Sequence, residues 1–415
     1  MPSRIIVIGS GFAGLYSALS ARRLITIHRK KEPEVADIEV CVIAPEPSLV
    51  IAPRLYLANP ERMTAPLEDL FKATGIRFIR GYVEKILPEE KHVLVGATDG
   101  TSLSEPYDRL VVAAGSQLAH PDIPGLTEHG FAIHSLDKAV ELEKHLRGLP
   151  NLPEGEARNT VVVCGAGFTG IELAAELPAR LSNILGQGTS FRVVIVDRSD
   201  EIGSELGPGP RPFIKEALQT LGVETRLGSG AAAVQVDGVI LESGEKIKAA
   251  TVVWTAGVRA SPLTDQVQTK KDGLGRLTVN ENLQVVDMPG VYAAGDAAHA
   301  KTDTDGHSAM MSCQHAMPLG RVAGNNAAAS LLGLDPTPYS QPLYMTCLAL
   351  GSYGALLSRG WDRQVMFAGP KVKPLKQYIN RVLIYPPGAN EVEAFAAADP
   401  GWKFPEFPAV PLPAQ

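Results

Sequence analysis

Short, unbroken apolar runs recur along this chain, and each ends in small residues or passes into a helical pattern of apolar positions. The first unit, Ile5–Gly14, has the pattern of a buried strand that leads into a glycine-rich turn, and the helical pattern Phe12–Arg23 follows it. A second unit, Thr160–Gly170, repeats this arrangement before the helical run Ile171–Leu177. Apolar strands that alternate with helices are typical of parallel sheets, so the pattern predicts an α/β protein with two similar units.

The rest of the pattern predicts the connections and the later elements. The polar stretch His28–Asp37 is expected to be an extended surface connection, and Gly148–Asn159 a linker. Further strands are predicted at Ile38–Ala44, Ile76–Leu87, His92–Val95, Tyr107–Ser116, Phe191–Val196, Thr251–Arg259 and Val291–His299, and helices at Leu136–Leu146 and Ala316–Leu332. An antiparallel sheet is predicted from alternation at Tyr344–Leu350, Ala355–Leu357 and Val365–Phe367. The proline-rich end, Phe404–Gln415, is not expected to be helical.

Composition limits the class of protein. The chain has 415 residues, of which 45% are hydrophobic and 20% charged, and its net charge is −6. These values fit an enzyme of two or three domains and give no basic field for DNA or RNA. The first strand begins about five residues from the start, which leaves no room for a signal peptide. No run of about 18 apolar residues predicts a membrane span, so we expect a cytoplasmic protein.

The cysteines limit the redox chemistry. Four cysteines, Cys41, Cys164, Cys313 and Cys347, lie far apart in the sequence. A disulfide framework is therefore not expected. The absence of a Cys-x-x-Cys pair also excludes the dithiol relay that a disulfide reductase needs, so electrons have to leave by another route.

The two glycine-rich turns predict nucleotide binding. Gly9, Gly11 and Gly14 have G-x-G-x-x-G spacing, in which the first glycine permits a tight turn, the second lets backbone approach a pyrophosphate and the third lets helix and strand pack closely. One such motif is weak evidence because glycines also end ordinary strands. The second copy, with Gly165, Gly167 and Gly170, makes two nucleotide sites the better interpretation. Two nucleotides bound to one chain imply a transfer reaction between them.

The residues at the ends of neighbouring strands predict which nucleotides bind. Asp197 ends the strand that follows the second turn and is suited to an unphosphorylated ribose, which predicts NADH rather than NADPH. Arg198 and Arg211 keep the alternative of a 2′-phosphate open. The first unit has Ala44 at the matching place, so Glu46 is the candidate substitute there. In the loop that follows, Arg54 is expected to run beside the cofactor.

Three other strands end in Ala-Gly, where small residues let backbone approach a flat ligand. These strand ends are Ala114–Gly115, Ala256–Gly257 and Ala294–Gly295. Asp296 follows the last of them and is placed to accept hydrogen bonds from a polyol chain or to cap the next helix. A metal site was considered for His299, His307, Cys313 and His315, but their spacing matches no zinc pattern, so no metal is predicted.

Taken together, these residues resemble flavoproteins with two dinucleotide domains, and among them the type II NADH dehydrogenases and their soluble relatives. The resemblance rests on the order of the motifs GSGFAG, AAGS, GAGFTGIELAAEL, WTAGV, AAGDAAH and CQHA. It implies two Rossmann-like domains, with FAD on the first and NADH on the second, and a small C-terminal α+β domain near the flavin. The implied divisions are 1–119 and 266–335 for a discontinuous FAD domain, 120–265 for the NAD(P)H domain and 336–415 for the C-terminal domain.

The resemblance also implies roles for individual residues. By position, Asp296 would bind the ribityl chain, and Glu172 would lie near the nicotinamide and the flavin, although a first-turn carboxylate also favours a helix dipole. Gln314 matches a glutamine beside the flavin ring in the quinone-reducing members. The implied FAD contacts are Gly9, Gly11, Phe12, Ala13, Gly14, Glu46, Arg54, Ala114, Gly115 and Gly295, and the implied NADH contacts are Gly165, Gly167, Thr169, Gly170, Asp197 and Gly257.

The chain departs from this family at three places. Ala44 replaces the carboxylate for the adenosine ribose, and Leu319 replaces a second glutamine of the quinone-reducing members. The paired amphipathic helices that anchor those enzymes to membranes are not found. The basic residues Lys371, Lys373, Lys376 and Arg381 either touch an acidic bilayer or form a charged helix face packed on their own domain. The sequence thus leaves peripheral membrane contact as one alternative. It also leaves a homodimer as an alternative to a monomer.

The leading hypothesis is a flavoenzyme that passes hydride from NAD(P)H to FAD and then electrons to a quinone-like acceptor. One alternative keeps the first half-reaction and uses a soluble protein or a small aromatic metabolite as acceptor. Another alternative is a redox-sensing interaction protein whose complex with NADH alters partner binding.

Overall fold

The computed structural model describes residues 2–96, 100, 102–119 and 121–403. The predicted non-helical end 404–415 lies outside the described residues. The helices are α1 Phe12–Lys31, α2 Glu68–Thr74, α3 Leu126–His129, α4 Leu136–Gly148, α5 Phe168–Leu185, α6 Arg211–Thr220, α7 Cys313–Leu332, α8 Lys373–Tyr378 and α9 Glu391–Ala397.

The strands, in chain order, are short and numerous. They are β1 Arg4–Ile8, β2 Glu39–Ala44, β3 Ser48–Val50, β4 Thr64–Pro66, β5 Arg77–Arg80, β6 Tyr82–Leu87, β7 His92–Gly96, β8 Ser102–Pro106, β9 Arg109–Val112, β10 Ser116–Leu118, β11 Phe131–Ala132, β12 Thr160–Cys164, β13 Arg192–Val196, β14 Val223–Arg226, β15 Ala231–Gln235, β16 Gly238–Leu241, β17 Lys246–Lys248, β18 Thr251–Trp254, β19 Val258–Ala260, β20 Leu277–Thr278, β21 Val291–Ala293, β22 Ala298–His299, β23 Met345–Leu350, β24 Gly354–Arg359 and β25 Gln364–Gly369.

Two five-stranded parallel sheets organise the molecule. The first has the order β21-β9-β1-β2-β5, and the second has the order β11-β18-β12-β13-β14. The central strands are β1 and β12, because they carry the continuous apolar runs that a sheet covered on both faces needs. In each sheet a glycine-rich turn follows this central strand. The predicted α/β fold class with two Rossmann-like units is therefore confirmed.

Smaller antiparallel sheets complete the fold. β6-β7-β8 and β15-β16-β17 are three-stranded, and β23-β24-β25 forms the sheet that was predicted near the C-terminus. The ribbon β10-β19 pairs the segment after β9 with the segment after β18, so it joins the ends of the two parallel sheets. The proposed domain limits stay a prediction; the pairing of β21 with β9 supports a discontinuous first domain.

Helices α1 and α7 pack closely on one face of the first sheet because α7 has glycines at the contact. A Cβ on Gly320 would lie 2.3 Å from the carbonyl oxygen of Ala13, and one on Gly324 would lie 1.9 Å from that of Ser17. No side chain fits there, so the two backbones approach each other directly. The small residues of α7 are thus required by the packing that places its N-terminus.

One connection differs from its prediction. α1 continues through Lys31, so His28–Lys31 are helical and not part of an extended connection. The last turn of the helix is basic, which suits the negative end of the helix dipole, and Lys30 pairs on the surface with Glu391 of α9 at 3.2 Å. Among the described residues no helix combines the length and the apolar character needed to cross a membrane.

Candidate functional site

The first glycine turn has the geometry that phosphate binding requires. Gly9 has φ +102°, and a Cβ there would lie 2.5 Å from the carbonyl oxygen of Ala113. A Cβ on Gly14 would lie 1.9 Å from the carbonyl oxygen of Gly9. A Cβ on Gly11, in contrast, would have no described atom within 4 Å beyond its chain neighbours. The outer two glycines are thus fixed by packing, while the middle one faces open space at the N-terminus of α1.

The second turn repeats this geometry with one difference. Gly165 has φ +121°, and a Cβ on Gly170 would lie 1.9 Å from its carbonyl oxygen. Gly167 is not open, because a Cβ there would lie 2.8 Å from Oε1 of Glu205. That oxygen accepts a hydrogen bond of 2.7 Å from the backbone N–H of Phe168. Thr169 is exposed on the first turn of α5.

Asp197 lies against the second turn. Its carboxylate accepts hydrogen bonds from the backbone N–H groups of Ala166, at 2.6 Å, and Ser199, at 2.8 Å. The two arginines that kept NADPH open are engaged elsewhere: Arg198 pairs with Glu242 at 3.0 Å, and Arg211 lies 3.5 Å from Glu201. Both arginines are thus paired with glutamates, and neither pairs with the Asp197 carboxylate.

In the first unit, Ala44 ends β2 as a buried residue, and the carboxylate of Glu46 is held by Arg80 at 2.6 Å. Ser10 donates to the carbonyl oxygens of Glu46 and Ser48, which ties this segment to the glycine turn. Glu46 is therefore next to the turn, but its carboxylate already has a cationic partner on the surface.

The guanidinium group of Arg54 has one nitrogen with a hydrogen-bond partner and one without. Its Nη1 donates to the hydroxyl of Tyr385 at 2.5 Å, while its buried Nε has no hydrogen-bond partner within the described part of the chain. A buried donor without a partner is costly, so this nitrogen is available to a ligand.

Asp296 lies beside the first turn. A Cβ on the preceding Gly295 would lie 2.7 Å from the Cβ of Ala13, and its φ of +65° requires glycine. Ser116 donates to Asp296 Oδ2 at 2.5 Å. Burial raises the pKa of the Asp296 carboxyl, while the Ser116 hydrogen bond lowers it.

The other Ala-Gly strand ends lie at the two ends of the ribbon β10-β19. Ala114 and Gly115, with φ +69° at the glycine, come immediately before β10. Gly257, with φ +77°, comes immediately before β19. The ribbon therefore brings both strand ends to the junction of the two sheets.

A buried ion pair connects α5 with α8. Glu172 Oε1 lies 2.8 Å from Nζ of Lys376, and only 3% of Glu172 is exposed. The same oxygen accepts a hydrogen bond of 2.8 Å from the N–H of Ala349, and Lys376 donates to the carbonyl oxygen of Cys347 at 2.7 Å. Burial raises the pKa of the Glu172 carboxyl, and the ammonium group counteracts part of this rise.

Lys376 is the residue that the sequence interpretation missed. It was grouped with Lys371, Lys373 and Arg381 as a basic face, whereas it is buried, and Lys373 donates to the carbonyl oxygen of Gly351. The burial of Lys376 and the contact of Lys373 agree with the alternative of a charged helix face packed on its own domain, while contact with a bilayer stays a prediction. No signal in the local sequence distinguishes Lys376 from its basic neighbours, because its partner is 204 positions away, the difference between 376 and 172.

Gln314 is the second residue of α7 and also contacts β23. With its amide oriented so that both polar atoms have partners, it accepts from the N–H of Met345 at 3.3 Å and donates to the Met345 carbonyl oxygen at 2.5 Å. Leu319, which stands at the place of the second family glutamine, is fully buried in the core. The predicted roles of Gln314 and Glu172 stay predictions.

The strand β23 brings these groups together. Its backbone positions Met345, Cys347 and Ala349 contact Gln314, Lys376 and Glu172, respectively. Alternate residues of a strand direct their backbone groups to the same edge, and β23 is paired with β24 on the other edge. The free edge of β23 thus brings the start of α7 close to α5. Helix α7 comes after Asp296, which lies beside the first glycine turn, and α5 comes directly after the second glycine turn.

An aromatic cluster beside the start of α7 was also not predicted. The ring of Tyr344 stacks on those of His315 and Trp361, with centroid distances of 5.0 and 4.8 Å. The ring of His307 stacks on Trp361 at 4.6 Å. The Arg363 guanidinium lies 4.3 Å from the Tyr344 ring centroid. Burial lowers the pKa of His315 to about 4, so the imidazole is neutral at physiological pH. The cluster fixes the β24–β25 turn against the loop before α7.

One group of side chains has metal-ligand atoms close together. Those of Asp303, Asp305 and His307 lie within 4.8 Å of one another, and Asp303 Oδ2 pairs with His307 Nδ1 at 2.7 Å. His299 pairs instead with Ser308 at 3.1 Å. Acidic surface groups commonly occur without a metal, and the prediction of no metal stays a prediction.

Comparisons with known proteins agree with this geometry. Residues 3–320 match the model of the family described as pyridine nucleotide-disulphide oxidoreductase. An NADH dehydrogenase-like protein of Mycobacterium tuberculosis strain H37Rv is 44% identical over 96% of this chain and 98% of its own. The demethylphylloquinone reductase of Synechocystis is 29% identical over 86% of each chain. Among solved structures, NDH2 from Plasmodium falciparum has a similar fold, with a TM-score of 0.74, 14% identity and coverage of 96% of this chain and 98% of its own. The chain is therefore an oxidoreductase that belongs to the pyridine nucleotide-disulphide oxidoreductase family.

Proposed function

We propose that the protein is an NADH dehydrogenase that uses FAD to pass electrons from NADH to a quinone. The observation that carries the proposal is the free edge of β23, which aligns the start of α7 with Glu172 on α5 and so links the surroundings of the two glycine turns. Bound FAD would supply the redox chemistry, accepting a hydride from NADH and passing electrons to the acceptor. The protein's residues bind, orient and supply protons.

The residues around the first turn fit FAD. Gly11 offers open space and free N–H groups at the N-terminus of α1 for a pyrophosphate, and the unpartnered Nε of Arg54 offers a buried donor. Asp296 offers a carboxylate for the ribityl hydroxyls beside Gly295 and Ala13. Further contacts from Gly9, Phe12, Gly14, Ala114 and Gly115 complete the proposed site. We do not assign the adenosine ribose to the Glu46 carboxylate alone, because Arg80 already holds it.

The residues around the second turn fit NADH. Gly165, Gly167, Thr169 and Gly170 would face the pyrophosphate, and Gly257 would lie on the opposite strand end. The Asp197 carboxylate lies on the turn and would bind the ribose diol, whereas it would repel a 2′-phosphate. The surface pairing of Arg198 with Glu242 further favours NADH over NADPH.

The pair Glu172–Lys376 is proposed to hold a proton for the reaction. Reduction of a quinone to a quinol takes up two electrons and two protons, and NADH supplies both electrons and one of these protons as hydride. The second proton has to come from the solvent through a protein group. Glu172 is suited to this because burial raises its carboxyl pKa, which favours holding a proton, while Lys376 stabilises the ionised form and so allows the proton to be released.

Different observations favour two kinds of electron acceptor. The demethylphylloquinone reductase and type II NADH:quinone oxidoreductases among the relatives favour a quinone. Leu319 in the core, and a Gln314 amide already paired with Met345, favour the alternative of a soluble protein or small aromatic acceptor. With a quinone as acceptor, we propose a cytoplasmic protein that makes peripheral contact with a membrane face.

Stopped-flow spectroscopy tests the two half-reactions separately. The FAD-loaded protein is reduced with NADH, and the reduced protein is then mixed with a short-chain naphthoquinone, a benzoquinone, a ferredoxin or oxygen. We expect rapid reduction by NADH and fastest reoxidation by a quinone. Fast reoxidation by the ferredoxin alone would support the soluble-acceptor alternative, and slow reoxidation by every acceptor would support a redox sensor.

A further inference from the structure

The two glycine turns differ in what faces their middle glycine. Gly11 of the first turn is open, whereas the Glu205 carboxylate lies directly over Gly167 of the second, with Oε1 2.8 Å from a Cβ position on that glycine. Oε1 also accepts the N–H of Phe168, the first residue of α5, at 2.7 Å. A glycine-rich turn of this kind binds a dinucleotide pyrophosphate through the backbone N–H groups at the start of the helix and through the open face of its middle glycine.

The segment that carries Glu205 is held in place by its backbone. Glu205 lies in the 3₁₀ turn Ser204–Leu206, which is bounded by Gly203 at φ +59° and Gly207 at φ +77°. The N–H of Gly203 donates to the carbonyl oxygen of Ala166 at 3.1 Å, and Leu206 is 3% exposed. The side chain of Glu205 itself is exposed. It can therefore leave the N-terminus of α5 by rotating its side chain while the turn stays where it is.

We propose that Glu205 is an intramolecular competitor of NADH: its carboxylate occupies the pyrophosphate position of the second turn and has to rotate away before the dinucleotide binds. This inference rests on the proposed function, which places NADH at that turn. The same helix N-terminus cannot serve both anions, so the free energy of the Glu205 contact is subtracted from that of NADH binding. After rotation the carboxylate stays close to the diphosphate, and their repulsion further weakens binding and favours release of NAD⁺.

Anaerobic titration calorimetry on the FAD-loaded protein, with its flavin first reduced by dithionite so that NADH binds without reacting, tests this proposal with NADH and with ADP-ribose, which has the pyrophosphate but no nicotinamide. Glu205→Gln removes the charge, and Glu205→Ala also removes the contact. The matched control is Glu141→Gln, which neutralises an exposed carboxylate of α4 that pairs with Lys138 at 2.8 Å. We expect both Glu205 variants to bind the two ligands about 3- to 10-fold more tightly than the wild type, and the control to stay within about twofold.

The possible results separate the two proposals. If the wild type binds ADP-ribose and both Glu205 variants bind it equally or more weakly, Glu205 supports the site and the competitor proposal is wrong, while the proposed function stands. If neither the wild type nor any variant binds NADH or ADP-ribose, the placement of NADH and the competitor proposal both fail. Tighter binding of ADP-ribose by the Glu205 variants supports the competitor proposal even where quinone reduction is absent.

Discussion

At the scale of single residues, the candidate site depends on a charged pair that is removed from water. Glu172 and Lys376 are each less than a tenth exposed, and each has a backbone partner on β23 besides the other. Burial penalises both charges, so each is stable only while the other stays in place. This mutual dependence makes the pair sensitive to substitution of one member and tolerant of substitution of both.

We therefore expect Lys376→Met to destabilise the protein by about 3–5 kcal/mol, because it leaves the Glu172 carboxylate buried without its counter-ion. Burial raises the Glu172 pKa in the folded state, and loss of the ammonium group raises it further. The stability of the variant is then greatest below the pKa of the unfolded carboxyl and is lost as the pH rises through the folded-state pKa. Urea unfolding at several pH values measures this loss.

The double variant Glu172→Gln with Lys376→Met is the control for that experiment. It removes both charges and keeps similar side-chain volumes, so we expect it to recover most of the lost stability and to show little dependence on pH. A single variant as stable as the wild type across the pH range would contradict a buried ion pair at this place.

Asp197 allows a second test at the residue scale. Asp197→Ala should lower kcat/KM for NADH by about 10- to 150-fold, since a hydrogen bond to a charged group contributes about 1.5–3 kcal/mol, and should lower that for NADPH less. Arg198→Ala is the control, because Arg198 pairs with Glu242 and should leave the ratio of the two kcat/KM values nearly unchanged. A wild type that prefers NADPH would show that the nucleotide assignment is wrong.

At the scale of elements, the edge strand β23 is the part that determines how the site is assembled. The start of α7 and the N-terminal part of α5 both contact its free edge, through Gln314 and Glu172. The strand was predicted from its alternating pattern, but alternation does not say which edge stays unpaired. The contacts on that edge come from residues far away in the sequence, and a single sequence gives no sign of them.

Gln314→Ala tests the role of this contact. We expect reoxidation by quinone to slow by a factor that corresponds to about 1–3 kcal/mol, with reduction by NADH less affected, because the change loosens the start of α7 and removes a donor and an acceptor there. Gln341→Ala is the control, since it removes the hydrogen bonds of the Gln341 amide to the Gln314 carbonyl oxygen and from the Tyr339 hydroxyl but keeps the Gln314 side chain. Single-turnover measurements decide the matter: equal slowing of both half-reactions would make Gln314 a structural residue.

The sequence predicted best the elements whose residue pattern lies within the element itself. The glycine turns, the strands β1 and β12 and the helix α7 follow from apolar runs and spacing, and the fold class followed from them. The last turn of α1 was missed because His28–Lys31 look like a polar connection in the sequence. The burial of the Lys376 ammonium group was missed because its partner, Glu172, is distant in sequence.

At the scale of the whole molecule, the C-terminal region returns to the first unit and packs on α1 and α7. Arg321 of α7 is buried, with its guanidinium 4.5 Å from the Tyr16 ring centroid and 4.4 Å from that of Trp402. Its Nε donates to the carbonyl oxygen of Ala397, the last residue of α9, at 2.7 Å. One side chain thus joins the start, the middle and the end of the described chain.

Arg321→Leu should release the end of the chain from the first unit. Two cation–π contacts at about 0.5–2 kcal/mol each and one charged hydrogen bond at about 1.5–3 kcal/mol predict a loss of roughly 3–5 kcal/mol in the free energy of unfolding. Trp402 should become more exposed, which shifts the tryptophan emission to longer wavelength, and limited proteolysis should cut first near α9. Arg77→Leu is the control, because its side chain is 46% exposed and its pairing with Glu39 contributes about 1 kcal/mol or less. If Arg321→Leu lowers the stability no more than this control and leaves the emission unchanged, other contacts hold the C-terminal region to α1 and α7.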